Sequence, residues 1–172
     1  MSGIGKVVVT CGKLGCGKTT YAKRLCAERG AVLLSADEWM LSLFGSDAGE
    51  KHDAYLEKVK TCLLNQSLEL VSRGVDAVLD WGLWTRAERS AIRAFYEARA
   101  VPCEIHCLEI DEETRQLRIN IRNRAVLSGS AKDYYVDEGL AAKLDRLFEP
   151  PEPAEADVWV RPETEELNTA SL

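Results

Sequence analysis

The sequence has only two histidines, and its six cysteines include no C-x-x-C pair. A zinc site built from those ligands is therefore not expected. Cys11, Cys16, Cys26, Cys62, Cys103 and Cys107 are scattered along the chain and read as buried, reduced thiols of a cytosolic protein. Positive charge is not in excess either. The 22 Lys and Arg stand against 28 Asp and Glu, a net −6, so no global basic field favours a polynucleotide partner. That balance disfavours nucleic acid without forbidding a local basic groove. No apolar run approaches the length needed to span a membrane, and Met1 to Lys6 lacks the apolar core of a secretory signal. These absences point to a cytoplasmic chain with no membrane partner. Internal repeats and dividing linkers are missing too, so the 172 residues read as one domain able to bury a single core.

What the sequence does contain is a glycine-rich stretch, Gly12-Lys13-Leu14-Gly15-Cys16-Gly17-Lys18-Thr19. It fits the phosphate-binding pattern G-x-x-x-x-G-K-[ST]. The flanks suit that pattern. Val7-Val8-Val9-Thr10-Cys11 leads in as a buried parallel strand, and Thr20 to Leu25 leads out as a helix. The glycines allow close backbone approach to an anion, and the amides at the helix start point towards it. Gly12, Leu14, Gly15, Cys16, Gly17, Lys18, Thr19 and Thr20 form the predicted nucleotide-binding set. Lys18 is placed to reach the β- and γ-phosphates, and the Thr19 hydroxyl to hold Mg²⁺. Cys16 sits at the start of that helix, where a thiol is the exception to watch.

Apolar runs at Val7–Cys11, Ala31–Leu34, Ala77–Leu79, Ile105–Leu108 and Val158–Val160 alternate with helical patterns near 18–29, 51–73, 85–99, 112–126 and 138–148. This alternation specifies an α/β fold with a mainly parallel sheet. The helix over 51–73 is expected to face inward with Tyr55, Val59, Cys62, Leu63, Leu70 and Val71. Gly30 and Gly74 stand where helix-ending glycines belong. Glu149-Pro150-Pro151-Glu152-Pro153 is a stiff stop before the last short strand. The tail 161–172 is polar and acidic, and is expected to be poorly ordered.

Three further places can carry chemistry. The third apolar run ends in Asp80, in the form of a Walker-B carboxylate that orients Mg²⁺ beside the loop threonine; a cap or turn role is the bland alternative. The second run ends in Ser35-Ala36-Asp37-Glu38. Asp37 is placed to accept a hydroxyl proton during phosphoryl transfer, while Ser35 and Glu38 make a capping box in which Asp37 also suits the helix dipole. In the helix after Asp111, Arg118 and Arg122 share one face. They can stabilise charge on a transferring phosphoryl group, with Leu117 and Ile121 packing inward, or can lie on a solvated face where Arg115 and Arg118 pair with Glu112 and Glu113. Arg86 and Arg89 are weaker candidates for holding an anionic acceptor. Trp81 and Trp84 serve either as acceptor-pocket walls or as core.

This order of elements resembles the P-loop kinases of the group that includes polynucleotide 5′-kinase, chloramphenicol phosphotransferase and zeta toxin. Val78 to Arg89 and Phe148-Glu149-Pro150-Pro151 look like a branch of predicted ATP-dependent kinases. The resemblance implies a P-loop NTPase fold over residues 1–160, with five parallel strands in the order 2-3-1-4-5 and helices on both faces. It also implies a mobile lid at about 112–138, ATP with Mg²⁺, Asp37 as base, and Arg122 as lid arginine with Arg118 beside it. Polynucleotide kinases carry a phosphate-gripping arginine three residues after the base, where this chain has Met40. That difference and the acidic charge favour a small-molecule alcohol as acceptor. A nucleic-acid 5′-hydroxyl acceptor and an ATP-binding switch acting through a partner are the alternatives.

Overall fold

The structure is a computed structural model that describes residues 3–45 and 49–161. Its elements run β1 (Val7–Cys11), α1 (Lys18–Arg29), β2 (Val32–Ser35), α2 (Ala36–Phe44), α3 (His52–Ser72), β3 (Ala77–Asp80), α4 (Arg86–Glu97), β4 (Cys103–Leu108), α5 (Glu112–Leu127), α6 (Glu138–Leu147) and β5 (Val158–Val160). The five strands form one sheet in the order β2-β3-β1-β4-β5, and every pairing is parallel. The sheet order implied by the resemblance is therefore the order observed. The predicted tail beyond Arg161 lies outside the described residues.

β1 is central and wholly buried, as its unbroken β-branched run requires. Its alternation sends Val7, Val9 and Cys11 into a large core with Met40 of α2, Val59 and Leu63 of α3, and Ile92 and Tyr96 of α4. Val8 points the other way, onto Ala22 and Leu25 of α1. The carboxyl ends of β1, β2 and β3 thus converge between α1 on one face and α3 on the other, where open α/β sheets bind ligands.

Two packing expectations change. In α3 the inward stripe is Val59, Leu63, Ser67 and Val71, a strict i, i+4 ladder that leaves Cys62 exposed. Ser67 is tolerated inside because its hydroxyl lies 2.7 Å from the Tyr96 hydroxyl on α4. In α5 the buried residues are Arg115 and Ile119, whereas Leu117 and Ile121 are exposed. That helix packs on the glycine loop rather than on the sheet, so the face meeting Gly15 is the one that is covered.

The proline segment is more than a stop. Residues 149–157 run as a strap along α4. The Glu149 amide donates to the Trp84 carbonyl (2.8 Å), Arg86 pairs with Glu152, and Arg89 with Glu155. Arg93 then pairs with Asp157 at 2.8 Å. Arginines at i, i+3 and i+7 present one basic stripe to an acidic segment.

Candidate active site

The turn from β1 into α1 is built by backbone that only glycine adopts readily. Gly12 has φ 146°, and a Cβ there would stand 2.7 Å from the Cys16 sulfur and 2.8 Å from the Leu108 carbonyl oxygen. Gly17 has φ 95°, and a Cβ would meet the Arg118 guanidinium at 2.7 Å. The absence of these two side chains therefore closes the loop and lets an arginine of α5 reach its rim. Lys18 opens α1, and its ammonium donates to the carbonyls of Gly12 (2.9 Å) and Lys13 (2.7 Å), so a full cation is held at the centre of the loop.

Thr19 follows, and its hydroxyl donates to Asp80 Oδ2 at 2.7 Å. Asp80 ends β3 and is buried. Its segment is braced by Thr10, whose hydroxyl donates to the Trp81 carbonyl (2.8 Å) and accepts from the Trp81 amide (3.0 Å). Burial pushes the Asp80 carboxyl above the usual carboxylate range, against the Thr19 hydrogen bond and the Lys18 charge.

Asp37 sits in the first turn of α2. Ser35 caps that helix by accepting from the Glu38 amide (3.3 Å). The reciprocal half of the predicted box is not made, because the Glu38 carboxylate pairs with Lys23 (2.9 Å). A two-sided box does form at Thr85 and Glu88, which open α4. Asp37 as a residue is exposed, but the density of protein around its carboxyl in the cleft still disfavours the charged form. That desolvation raises its carboxyl pKa, Lys18 and Arg122 pull it back, and Asp133 adds to the rise.

From the far side, α5 brings its arginines to the loop. Arg118 donates to the Cys16 carbonyl (3.2 Å). Arg122 is ion-paired with Asp133. Arg115 is buried and spans Glu112, Asp145 and the Leu14 carbonyl, so it is the bolt that fastens α5 to α6 and to the loop. The pairing of Arg115 with Glu112 follows the solvated-face alternative in partners but not in burial. Asn123 clasps Val136 through both of its amide atoms, at 2.7 and 2.9 Å, and so pins the segment that carries Asp133.

Lys18, Thr19, Asp37, Asp80, Arg118 and Arg122 all line one cleft of about 1390 Å³, as do Leu14, Gly15, Gly17 and Thr20. Gly12 is not on its wall. Cys16 is buried and opens instead on a second cavity of about 510 Å³, with Lys13, Asp111, Arg115, Phe148 and Pro150. Met40 is 1% exposed and belongs to the core, so it meets no ligand. Arg86 and Arg89 do not hold an anionic acceptor. Both are committed to the strap, and Arg89 is 1% exposed. One Arg89 nitrogen donates to the Leu83 carbonyl (3.1 Å), fixing a turn in which Leu83 has φ 44°. Positive φ at a leucine is strained backbone, and here it shapes the cleft wall between Trp81 and Trp84.

Asp133 and Thr10 escaped the sequence reading, as did the clasp that Asn123 makes on Val136. Thr10 had a signal, being a polar residue inside an apolar strand. Asp133 had none, since its partner is set by the path of an irregular segment. Among the described residues no group of three or more His, Cys, Asp or Glu could hold a metal ion. A divalent cation here would have to share its ligands with phosphate oxygens. The residues fit such an ion: a hydroxyl and a carboxylate 2.7 Å apart at the foot of an amide-lined loop. No described helix is long and apolar enough to cross a membrane.

Comparison with known proteins gives three kinds of result. A family model described as "AAA domain" matches residues 7–151. No curated protein matches the sequence. Solved structures match the fold over nearly the whole chain. One is a putative kinase from Chloroflexus aurantiacus, with 14% identity, a TM-score of 0.69, and 95% of this chain and 91% of that one covered. Another is Kti12 of Chaetomium thermophilum in complex with ADP-AlF3, with 16% identity, a TM-score of 0.66, and 92% and 89% covered. A third is the APS kinase of Mycobacterium tuberculosis in complex with AMPPNP and APS, with 15% identity, a TM-score of 0.62, and 94% and 90% covered. These likenesses are those of the P-loop kinase fold.

Proposed function

Because the chain belongs to the AAA domain family, we propose that it is an ATP-dependent phosphotransferase acting on the hydroxyl of a small molecule. The observation that carries the reading is the convergence, in one cleft, of Lys18 and the Thr19–Asp80 pair with Asp37 opposite and Arg118 and Arg122 above. A nucleotide-binding loop alone would support a switch. A carboxylate with no ion pair among the described residues, facing the same cleft, supports transfer to an alcohol.

The loop amides and Lys18 bind the donor's phosphates, with the Lys18 ammonium exchanging its carbonyl partners for phosphate oxygens. Donor nucleoside fits the smaller cavity, between Arg115 and Phe148 on the outer side of the loop. Thr19 and Asp80 would hold Mg²⁺, which supplies charge neutralisation on the phosphates when bound. Asp37 orients the acceptor hydroxyl and takes its proton; a raised pKa makes a carboxylate a stronger base, provided it remains ionised. Arg118 and Arg122 balance charge on the transferring group. Most of the rate gain on this reading is positioning and electrostatics.

Burial of Met40 in the core leaves no side chain at that position to grip a nucleic-acid phosphate, which supports a small acceptor. The test is incubation with Mg·ATP and a panel of alcohols, followed by mass spectrometry for a product that has gained a phosphoryl group. ATP binding with slow hydrolysis and no phosphorylated alcohol would instead identify a switch, and transfer to DNA or RNA 5′ ends at the best rate would identify a polynucleotide kinase.

A further inference from the structure

The cleft extends well beyond the phosphate end, and its extension has a different character. Leu56, Lys60 and Leu64 of α3 face Ile92 and Phe95 of α4, with Trp81 between the two helices. Four lysines and arginines line the whole cleft among the described residues, and Lys18, Arg118 and Arg122 belong to the phosphate end. Lys60 is the one in the extension, and it is already neutralised. Its ammonium lies 3.5 Å from Glu57 and 3.7 Å from Glu88, and 5.7 Å from the centre of the Trp81 ring. Two carboxylates against one ammonium leave this arm net acidic. Trp81 is 9% exposed, and its indole N–H is buried with no hydrogen-bond partner among the described residues. A buried donor left without an acceptor is costly, which favours a ligand carrying an acceptor atom on an otherwise apolar surface.

We propose that this α3–α4 arm is the acceptor pocket, and that it takes an uncharged alcohol with an apolar or aromatic body and one acceptor atom for the Trp81 indole N–H. The inference rests on the phosphotransferase reading and narrows its substrate class. An anionic acceptor, such as a sugar phosphate, a nucleotide or a carboxylated sugar, would bring negative charge to Glu57 and Glu88 with no uncommitted lysine or arginine to meet it. A small, fully hydroxylated acceptor would leave the leucine, isoleucine and phenylalanine walls wet. In the transfer itself the alcohol oxygen bonds to the γ-phosphorus of ATP, the bond from that phosphorus to the β,γ-bridging oxygen breaks, ADP leaves, and the hydroxyl proton passes to Asp37.

Binding and transfer are measured separately. The Trp81 indole N–H signal is followed by NMR while the protein is titrated with a phenylalkyl alcohol, its methyl ether, its ring-carboxylated analogue, and glucose. The alcohol and its ether are expected to shift that signal, with the carboxylated analogue and glucose bound at least several-fold more weakly. Trp81→Phe keeps the aromatic wall and loses the donor, and is expected to weaken alcohol binding by about 2- to 10-fold while leaving ATP affinity unchanged. Glu57→Lys, on an exposed side chain, is expected to improve the carboxylated analogue relative to the neutral alcohol by about 2- to 5-fold. Tightest binding of the anionic compound or of glucose, or no shift with any apolar alcohol, overturns the inference. Binding of the apolar alcohol without phosphoryl transfer upholds the pocket and overturns the phosphotransferase reading instead.

Discussion

The guanidinium of Arg122 is ion-paired with Asp133, eleven residues further along the chain, and its Nε, buried, has no partner among the described residues. The same Asp133 raises the pKa of Asp37 while Arg122 lowers it. After burial and Lys18, which act on Asp37 most strongly, this one ion pair therefore links Arg122 to the carboxylate across the cleft.

Asp133→Asn is accordingly expected to release Arg122 and tighten ATP binding. The pair is partly exposed, at 26% and 34%, so its worth is about 0.2–1 kcal/mol, or at most about 5-fold in affinity. Calorimetric titration with ATP checks this. Weaker binding would mean that Asp133 holds Arg122 in its working position.

Lys18→Ala is expected to abolish transfer and to remove the rise in Tm that saturating ATP produces through selective binding to the folded state. The comparison is made by thermal melts with and without nucleotide. A variant that keeps both would remove the glycine loop from the donor site.

Asp37→Asn is expected to retain ATP affinity and lose about 10²- to 10⁴-fold in kcat. The pH dependence has a definite sign. A base works deprotonated, and burial has raised this carboxyl, so kcat/KM should fall with acid along a limb lying above the usual aspartate value of about 4. That limb should vanish in the variant. An effect on rate of only a few-fold would leave Asp37 as a helix-start residue.

Asp80→Asn should stabilise the fold while removing metal-dependent transfer. A carboxyl whose pKa is raised on folding contributes most below its unfolded value near 4, and that contribution is lost as pH rises through the folded value. The Tm gain of the variant should therefore be largest at neutral pH and shrink as pH falls towards about 4. A loss of Tm at neutral pH would show that the Thr19 hydrogen bond outweighs desolvation.

Arg89→Ala should cost about 3 kcal/mol of stability, as removal of one partner from a buried pair does, because Glu155 and the strained Leu83 carbonyl both lose their donor. Denaturant unfolding measures it.

The sheet was legible because its strands are apolar runs whose length and spacing leave little choice, and Val7–Cys11 and Val158–Val160 have the predicted bounds. The loop was legible because it is local: its glycines, lysine and threonine follow one another in the sequence. Arg89 misled because an arginine beside a cleft and an arginine buried against Glu155 look alike until the strap is placed 66 residues away in sequence. Leu117 and Ile121 misled because periodicity shows that a helix has an apolar face, but not whether a sheet or a glycine loop will cover the other one. Asp133 was invisible for a related reason, since its partner depends on how Asn123 folds an irregular segment back.

The strap along α4 also bears on the order of events. The arm formed by α5 and α6 leaves the body of the protein at Ile110–Asp111 and returns to it at Phe148–Pro150, and both junctions line the smaller cavity beside the glycine loop. On the phosphotransferase reading, a nucleoside seated there would touch both junctions of the arm. If the chain is the phosphotransferase proposed above, donor is expected to bind before acceptor. Product inhibition by ADP should then be competitive against ATP alone.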